Sequence, residues 1–262
     1  MHSVILFVVC ISASSIGAIV GAGGGVIIKP VLDMIGILPV STVSFCSGCT
    51  VLCMSCASLI RGWHDGIQLQ LRTSTPLAIG AVCGGMAGKW MFEFVRSSVG
   101  NEHVLGATQA VCLTFITFGV FLYVCNKDKL PSKQVENAGA TVIIGVFLGI
   151  VSSFLGIGGG TSNVAVLFFF FSMNAKEAAK NSLYIIIFSQ LSSIVISILT
   201  HSVPVFQWVD LMAMMTGGVS GALVGAVVSK RIDNTGVESI LKVMLLTIVL
   251  MNFYNVLKYS IL

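Results

Sequence analysis

The chain alternates long apolar runs with short polar linkers. Eight mostly apolar stretches can be delimited, at about 3–28, 40–60, 74–95, 104–125, 138–172, 179–200, 207–228 and 237–258. A helix needs about 20 such residues to cross the hydrocarbon core of a bilayer. The pattern therefore predicts an all-α integral membrane protein with eight apolar segments. The fifth segment is longer than one crossing requires.

Composition and charge support a membrane environment. Of the 262 residues, 56% are hydrophobic and 9% are charged, whereas soluble domains contain about 25% charged residues. The net charge of +4 is small and spread over the linkers, which argues against nucleic-acid binding. The linkers are too short to form a soluble domain, so the function must lie within the lipid bilayer or at its surface.

The chain contains an internal repeat. A shift of 135 positions superposes four glycines and one serine of the first half, Gly21, Gly23, Gly24, Gly25 and Ser47, on Gly156, Gly158, Gly159, Gly160 and Ser182. A shift of 137 superposes the glycine ladder Gly80, Gly84, Gly88 on Gly217, Gly221, Gly225. These matches predict a first membrane repeat at 1–125, a cytoplasmic linker at 126–137 and a second membrane repeat at 138–262. Each repeat consists of one broken segment and three transmembrane helices.

The two kinds of glycine pattern have different interpretations. Glycines spaced by four residues let helix backbones approach closely, so the ladders are explained by packing alone. Three consecutive glycines in a helix each cost about 1 kcal/mol relative to alanine, and they leave backbone groups that need partners in hydrocarbon. In transporters such breaks line cavities and direct the positive amino end of a half-helix at an anion. A kink that serves only packing is the alternative.

The distribution of Lys and Arg depends on how the broken segments run. If both cross the membrane fully, the basic residues divide almost evenly between the two faces. If both are re-entrant, one face carries Arg61, Arg72, Lys127, Lys129, Lys133, Lys176, Lys180, Lys230 and Arg231, and the other carries Lys89, Arg96 and Lys258. Because basic residues concentrate on the cytoplasmic face, this asymmetry predicts inverted repeats with re-entrant breaks, six crossings and both termini outside.

The glycine runs resemble the duplicated motif of a known family. Gly21-Ala-Gly-Gly-Gly-Val-Ile-Ile-Lys-Pro-Val-Leu32 and Gly156-Ile-Gly-Gly-Gly-Thr-Ser-Asn-Val-Ala-Val-Leu167 are similar to that of the sulfite exporter TauE/SafE family, the toluene-sulfonate uptake permease group. Trp63-His-Asp-Gly-Ile67 and Lys180-Asn-Ser-Leu183 are similar to its other motifs. Two features depart from the pattern: Lys29 precedes Pro30, and Phe45-Cys46 stand where the second half has Lys180-Asn181.

The resemblance implies a multi-pass protein of the plasma (inner) membrane. It implies transport of sulfur-containing anions, such as sulfite, sulfoacetate or taurine-derived compounds, and both export and uptake occur in the family. A substrate of this kind presents three oxygens that need hydrogen-bond donors on several sides. Two helix amino ends that converge near the membrane centre would supply them.

The candidate substrate-binding residues belong to both triplets and to polar positions near them. They are Gly23, Gly24, Gly25, Lys29, Ser47, Gly158, Gly159, Gly160, Ser162, Asn163, Asn181 and Ser182. For a single membrane serine, hydrogen bonding to a helix carbonyl is the alternative role. In a re-entrant hairpin Lys29 lies deep and needs an anionic partner, whereas in a spanning helix it would snorkel to the interface. Asp33 is placed near a segment end, so no carboxylate is expected at mid-depth.

Cys46, Cys49, Cys53 and Cys56 form a stripe on one face of a helix. Such a stripe could bind a soft metal or exchange with a sulfur substrate. Four thiolates on one straight helix cannot surround a single ion tetrahedrally, so packing is the favoured role. We therefore predict no metal and no cofactor.

The leading hypothesis is a secondary transporter rather than an enzyme, since the chain has no nucleotide-binding P-loop motif. An anion channel or facilitator, an intramembrane thiol-redox protein that uses the cysteine stripe, and an anion sensor without transport are the alternatives. The expected partners are a small anionic substrate and the lipid bilayer, without nucleic acid. The residues leave open the exact substrate, the direction, the coupling ion and whether a homodimer forms.

Overall fold

The computed structural model describes residues 2–62, 67, 69–129 and 134–261. These residues form ten α-helices and no strand. The helices are α1 (His2–Val20), α2 (Gly25–Ile35), α3 (Val40–Arg61), α4 (Leu71–Val99), α5 (Glu102–Asn126), α6 (Ala138–Leu155), α7 (Gly160–Phe171), α8 (Ala175–Leu199), α9 (Trp208–Arg231) and α10 (Asn234–Ile261). Within the motif Trp63–Ile67, all positions except Ile67 lie outside the described residues.

Seven of these helices are long and apolar enough to cross a membrane: α1, α3, α5, α6, α8, α9 and α10. Helix α4 is longer, with 29 residues, but its second half carries Lys89, Glu93 and Arg96. Many large apolar side chains point outward, among them Phe115 and Phe147, as expected where lipid is the solvent. The prediction of an all-α membrane protein is confirmed.

Polar residues set the helix ends more sharply than hydropathy does. Asn174 and Glu177 form a reciprocal capping box, so α8 begins at Ala175 rather than at about 179. Asn101 and Asn137 cap α5 and α6 in the same way, by accepting hydrogen bonds from first-turn amides. The apolar pattern therefore located the helices, and the capped helices α5 and α8 begin earlier than it indicated.

Both glycine triplets interrupt a helix, as predicted. Helix α1 ends at Val20 before α2 begins at Gly25, and α6 ends at Leu155 before α7 begins at Gly160. The residues that precede α2 and α7, Gly24 and Gly159, have φ angles of +61° and +67°. A side chain strongly disfavours this left-handed conformation, so glycine is needed at the point where each new helix starts.

The helices of the two halves interlock. Helix α1 packs along α9, and α6 packs along α4; in addition, α3 contacts α9, α8 contacts α4, and α3 crosses α8. The glycine ladders line the first two contacts. A Cβ atom built on Gly84 would lie 2.0 Å from the Val146 carbonyl oxygen, and one on Gly221 would lie 2.3 Å from the Ile11 oxygen. The ladders therefore serve close packing, as their spacing indicated.

The ladder contact can be tested with one substitution at two positions. We expect Gly84→Ala to destabilise the protein by about 1–3 kcal/mol, because the new methyl group overlaps a backbone carbonyl on α6. Gly119→Ala is the matched control, since Gly119 is exposed in the middle of α5 and a Cβ atom there meets nothing within 4 Å. The measurement is the thermal unfolding midpoint in detergent. Equal midpoints for the two variants would contradict the packing role.

Candidate functional site

The two glycine breaks touch each other through their backbones. A Cβ atom on Gly25 would lie 2.5 Å from the carbonyl oxygen of Ile157, and one on Gly160 would lie 1.9 Å from that of Ala22. Ala22 and Ile157 occupy the same position in their respective breaks. The contact is thus reciprocal, and it brings together the amino ends of α2 and α7, each with its partial positive charge. Of the predicted site residues, the six triplet glycines are brought together.

Two apolar side chains cover this meeting point. A Cβ atom on Gly23 would lie 3.0 Å from Ile186 Cδ1 and 3.2 Å from Val51 Cγ1, and one on Gly158 would lie 2.7 Å from Val51 Cγ1. Val51 and Ile186 are fully buried and share one apolar cluster. The sequence analysis missed both residues. The available signal was their separation of 135 positions, the same shift that relates the triplets.

Ser182 joins the two breaks. Its hydroxyl donates to the carbonyl oxygen of Gly21 at 2.8 Å, and the carbonyl oxygen of Gly160 lies 3.4 Å away. The hydroxyl therefore satisfies the Gly21 carbonyl, which lies beyond the end of α1 and outside any helix. This is the structural role that the sequence analysis gave as the alternative for a single serine.

Ser47 holds the equivalent position on α3 but differs in its contacts. It lies one turn before Val51, it is fully buried, and its Oγ atom has no hydrogen-bond partner. A buried polar group without a partner costs about 1–3 kcal/mol, so its presence points to a ligand or a water molecule. Ser47 is therefore the predicted serine whose hydroxyl is available to a ligand.

The first turn of α7 carries further unpaired polar atoms. Thr161 Oγ1, Ser162 Oγ, and both Oδ1 and Nδ2 of Asn163 are buried without hydrogen-bond partners. Thr161 was missed by the sequence analysis, although it follows the triplet directly. Ser162 lines an apolar groove beside Tyr123 and Phe147, which separates it from the polar cavities described below.

The first turn of α2 is apolar instead. Its three residues after Gly25 are Val26, Ile27 and Ile28, which correspond by position to Thr161, Ser162 and Asn163. The two amino ends are thus alike in backbone and unlike in side chains. Of the two half-helices, only α7 has polar side chains in its first turn to offer a ligand at their meeting point.

Asn181 lies in a structural network rather than among the unpaired groups. Its Oδ1 atom accepts from the Gln70 amide at 2.9 Å and from Ser74 Oγ at 2.5 Å, and its Nδ2 atom donates to the Glu177 carbonyl at 2.8 Å. These bonds fix the start of α4 against α8. The structure does not bring Asn181 together with the unpaired donors.

Lys29 is buried, with 1% of its surface exposed. Its ammonium lies 3.3 Å from Asp33 Oδ2 and donates to Ser44 Oγ at 2.9 Å. The expected anionic partner is therefore present, and the snorkelling interpretation is wrong. Asp33 is itself 6% exposed, so this carboxylate is buried in protein, which its place near a segment end did not indicate. Ser44 also packs against Gly156, which links Lys29 to the second break.

Two small polar cavities lie at opposite ends of the crossed pair α3 and α8. One, of about 50 Å³, lies at the end of α3 and the start of α8 and is lined by Ala18, Ile19, Ser58, Leu59, Gly62, Ile67, Lys176, Ala179, Lys180, Leu183, Ala226 and Ser229. The other, of about 20 Å³, lies at the start of α3 and the end of α8 and is lined by Ser44, Phe45, Gly48, Lys89, Phe92, Ser153, Gly156, Gln190, Ser193, Ile194 and Ser197. The second cavity includes Gly156 of the second break, and Ala179 of the first cavity contacts Gly21 of the first break.

The cysteine stripe is part of the packing of α3. Cys46 is buried in an apolar cluster with Cys10 and Val43, and Cys49, Cys53 and Cys56 are partly buried. All are free thiols. Within the described part of the chain, no group of three or more His, Cys, Asp or Glu side chains could hold a metal ion.

Comparison with known proteins gives two matches. The sequence model of the family named sulfite exporter TauE/SafE matches residues 6–252. A curated relative, the probable membrane transporter protein YunE of Bacillus subtilis (strain 168), is 20% identical over 279 residues, which cover 95% of this chain and 96% of the relative. No solved structure matches the chain.

The roles of the two equivalent serines can be separated by the same substitution. We expect Ser182→Ala to lower stability by about 1–3 kcal/mol, because it leaves the Gly21 carbonyl buried without its donor. Ser47→Ala removes a hydroxyl that has no partner, so stability should be unchanged or slightly higher. Thermal unfolding of the ligand-free protein measures both. A larger loss for Ser47→Ala than for Ser182→Ala would contradict the assignment.

Proposed function

The chain belongs to the sulfite exporter TauE/SafE family, and from this membership we propose that it is a secondary transporter of sulfur-containing anions. The substrates of this proposal are sulfite or organosulfonates such as sulfoacetate. The matched residues, 6–252, include both glycine breaks and every helix that contacts them. The curated relative is also described as a membrane transporter. The family and the relative thus support a multi-pass membrane transporter. We propose its substrate, its binding site and its topology below.

One observation carries the proposed site: unpaired donors are buried beside two touching helix amino ends. Ser47 Oγ, Thr161 Oγ1 and Asn163 Nδ2 can each donate a hydrogen bond, and none has a partner among the residues that the structure describes. A pyramidal or tetrahedral oxyanion accepts several such bonds at once and is favoured by the partial charge of the helix ends. The substrate would bind between the two breaks, near the middle of the membrane.

Among the other predicted residues, Lys29 would act at a distance. Asp33 neutralises its charge, and Ser44 stands between the ammonium and Gly156. Lys29 therefore contributes to the site by orienting Ser44 and the second break. Ser182 would hold the two breaks together without a ligand contact of its own.

Two features support inverted repeats with re-entrant breaks. Helices α2 and α7 have 11 and 12 residues, which at 1.5 Å per residue reach about 17–18 Å, far less than a bilayer core of about 30 Å. The contacts between the halves are also equivalent. In the repeat α1 corresponds to α6 and α9 corresponds to α4, so the contact of α1 with α9 has its counterpart in the contact of α6 with α4. We propose repeats at 1–125 and 138–262, with the 126–137 linker in the cytoplasm and both termini outside the plasma (inner) membrane.

Labelling tests this topology. We expect His2→Cys, at the amino terminus, to react with a membrane-impermeant thiol reagent in intact cells. Gln134→Cys, in the linker, should react only after permeabilisation, because three crossings separate the two positions when the breaks are re-entrant. Both positions are exposed, and the parent protein with its native cysteines provides the background. Labelling of both from the same side would contradict the re-entrant breaks, since fully spanning segments give four crossings.

The alternatives make different predictions. A channel or facilitator would not accumulate its anion when a pH gradient is applied to proteoliposomes, whereas a proton-coupled transporter would. A thiol-redox protein would lose activity when Cys49 is replaced by serine. A sensor would bind an anion without flux. The outward-facing apolar surface can be covered by lipid or by a second copy of the chain. The oligomeric state of the same purified sample is therefore measured to test for a homodimer.

Ligand-dependent stability tests the substrate class and the site together. We expect one or more of sulfite, thiosulfate, sulfate, taurine and sulfoacetate to raise the unfolding midpoint more than chloride does at equal ionic strength. A ligand at a hundred times its dissociation constant stabilises by about 2.7 kcal/mol. Ser47→Ala should lose most of this gain, because it removes a donor from the site while the ligand-free protein stays stable.

Ser97→Ala is the control for the ligand experiment, since Ser97 is exposed and its hydroxyl bonds only to the Phe94 carbonyl. An equal gain for the parent and for Ser47→Ala would remove Ser47 from the site. A stabilising effect that follows ionic strength alone, whatever the anion, would argue against a specific site for sulfur anions.

A further inference from the structure

The two polar cavities are equivalent by position, although they share almost no side chains. A shift of 135 relates Ser58 to Ser193, Gly62 to Ser197, and Ala179 to Ser44. A shift of 137 relates Ala226 to Lys89 on the two ladder helices. Both shifts are those found for the glycine repeats. The cavities are therefore one feature formed twice, once at each end of the α3 and α8 pair.

Each cavity is lined by lysine, but from non-equivalent positions: Lys89 lines one, and Lys176 and Lys180 line the other. Lys89 replaces Ala226 of the other cavity, and Lys180 replaces Phe45. Duplication alone would place lysines at equivalent positions. Each cavity instead has a lysine at a position of its own. The two cavities therefore have the positive charge in common and not the side-chain position.

The Lys89 cavity has the character of a polar site in a dry environment. Lys89 is 8% exposed, with its ammonium 2.8 Å from Glu93 Oε1 and 4.7 Å from the centre of the Phe92 ring. Ser153, which also lines the cavity, is buried and its Oγ atom has no hydrogen-bond partner. A buried ammonium and an unpaired hydroxyl that line one space are donors suited to a small oxyanion.

The Lys180 cavity uses its cation differently. The Lys180 ammonium donates to the carbonyl oxygens of Gly62 and Ile67, at 2.8 and 2.7 Å. These bonds draw the end of α3 towards the start of α8, beside Ser58 and Ala179. Ala179 in turn touches Gly21 of the first break, so the cavity leads to the place where the breaks meet.

Between the cavities the path is closed by apolar side chains. Val51 and Ile186 lie over the central glycines of both breaks and are fully buried. Leu183, which lines the Lys180 cavity, belongs to the same apolar cluster. The cavity of about 50 Å³ holds on the order of a few water molecules, and the cavity of about 20 Å³ holds about one. An oxyanion could not pass without movement of this barrier.

We propose that the two cavities are the opposite vestibules of one anion pathway. Lys89 and Lys180 are the cations that receive the anion on either side, and Val51 with Ile186 is the hydrophobic barrier that separates them. Hydrophobic constrictions close a pathway by excluding water. The identity of the anion rests on the proposed function, but the existence of two vestibules and one barrier does not.

Cysteine accessibility tests the vestibules without any substrate. Ser58→Cys and Ser193→Cys are made singly, in a background in which all eight native cysteines are replaced by alanine. A small impermeant thiol reagent should label Ser193→Cys only from outside and Ser58→Cys only from the cytoplasmic side in inverted vesicles. Labelling of both cysteines from one side, or of neither from any side, would overturn the proposal.

The barrier is tested by adding Val51→Ala and Ile186→Ala to each single-cysteine protein. We expect labelling from the formerly closed side to rise severalfold. The control pair is Val124→Ala with Ile185→Ala, because these side chains are equally buried but belong to a different apolar cluster. Size-exclusion profiles exclude variants that fail to fold. An equal rise in the control, or no rise in folded barrier variants, would contradict the role of Val51 and Ile186.

The lysines are tested by flux in proteoliposomes. Lys89→Gln and Lys180→Gln should each raise the half-saturating sulfite concentration on the side of their own cavity, and Lys230→Gln should not. If flux is absent in the parent protein while one-sided labelling persists, the proposed function fails and the vestibules stand. If flux is present and neither lysine variant changes half-saturation, the role of the two cations is wrong.

Discussion

The direct contact of two broken backbones is the constraint on which the rest of the structure depends. In hydrocarbon, an unwound stretch is tolerated only where protein or water satisfies its polar groups. Here each break presses a carbonyl against the glycine that starts the opposite half-helix, and Ser182 donates to a carbonyl of the first break. No side chain larger than hydrogen fits at Gly25 or Gly160 without displacing the other break. The position of each half of the molecule therefore determines that of the other.

This constraint explains why the halves are interlocked rather than adjacent. The long helix before each break needs a partner with small residues along its whole length, and that partner comes from the opposite half in both cases. The ladder of α4 receives α6, and the ladder of α9 receives α1. The middle pair, α3 and α8, then crosses over the breaks, and the polar cavities occupy the spaces left at its two ends. Neither half forms either cavity on its own.

Features that depend on spacing along the chain could be read from the sequence, and features that depend on which distant helices meet could not. The segments, the breaks and the packing role of the ladders follow from period, glycine content and repeat. Asn181 was read as a donor for substrate because its partners, Gln70 and Ser74, lie more than a hundred positions away. Asp33 looked peripheral because hydropathy does not reveal that Lys29 would be buried against it. Val51 and Ile186 carry no polar signal, so only their equivalence in the repeat could have drawn attention to them.

The interlocked arrangement also has a consequence for synthesis. Helix α1 is made first, but the helix that receives it, α9, begins only at Trp208. Val20 and the start of its partner helix are therefore 188 positions apart (208 minus 20). At about 5–20 residues per second, roughly 10–40 s pass before α9 is complete enough to dock. The second break and Ser182 are made before α9, but until they emerge the first break lacks both of these partners. Helix α6, in contrast, emerges after α4 and can dock at once. The order of synthesis is thus asymmetric even though equivalent helix pairs recur in the finished molecule, and the first break is the part that waits longest for its partners.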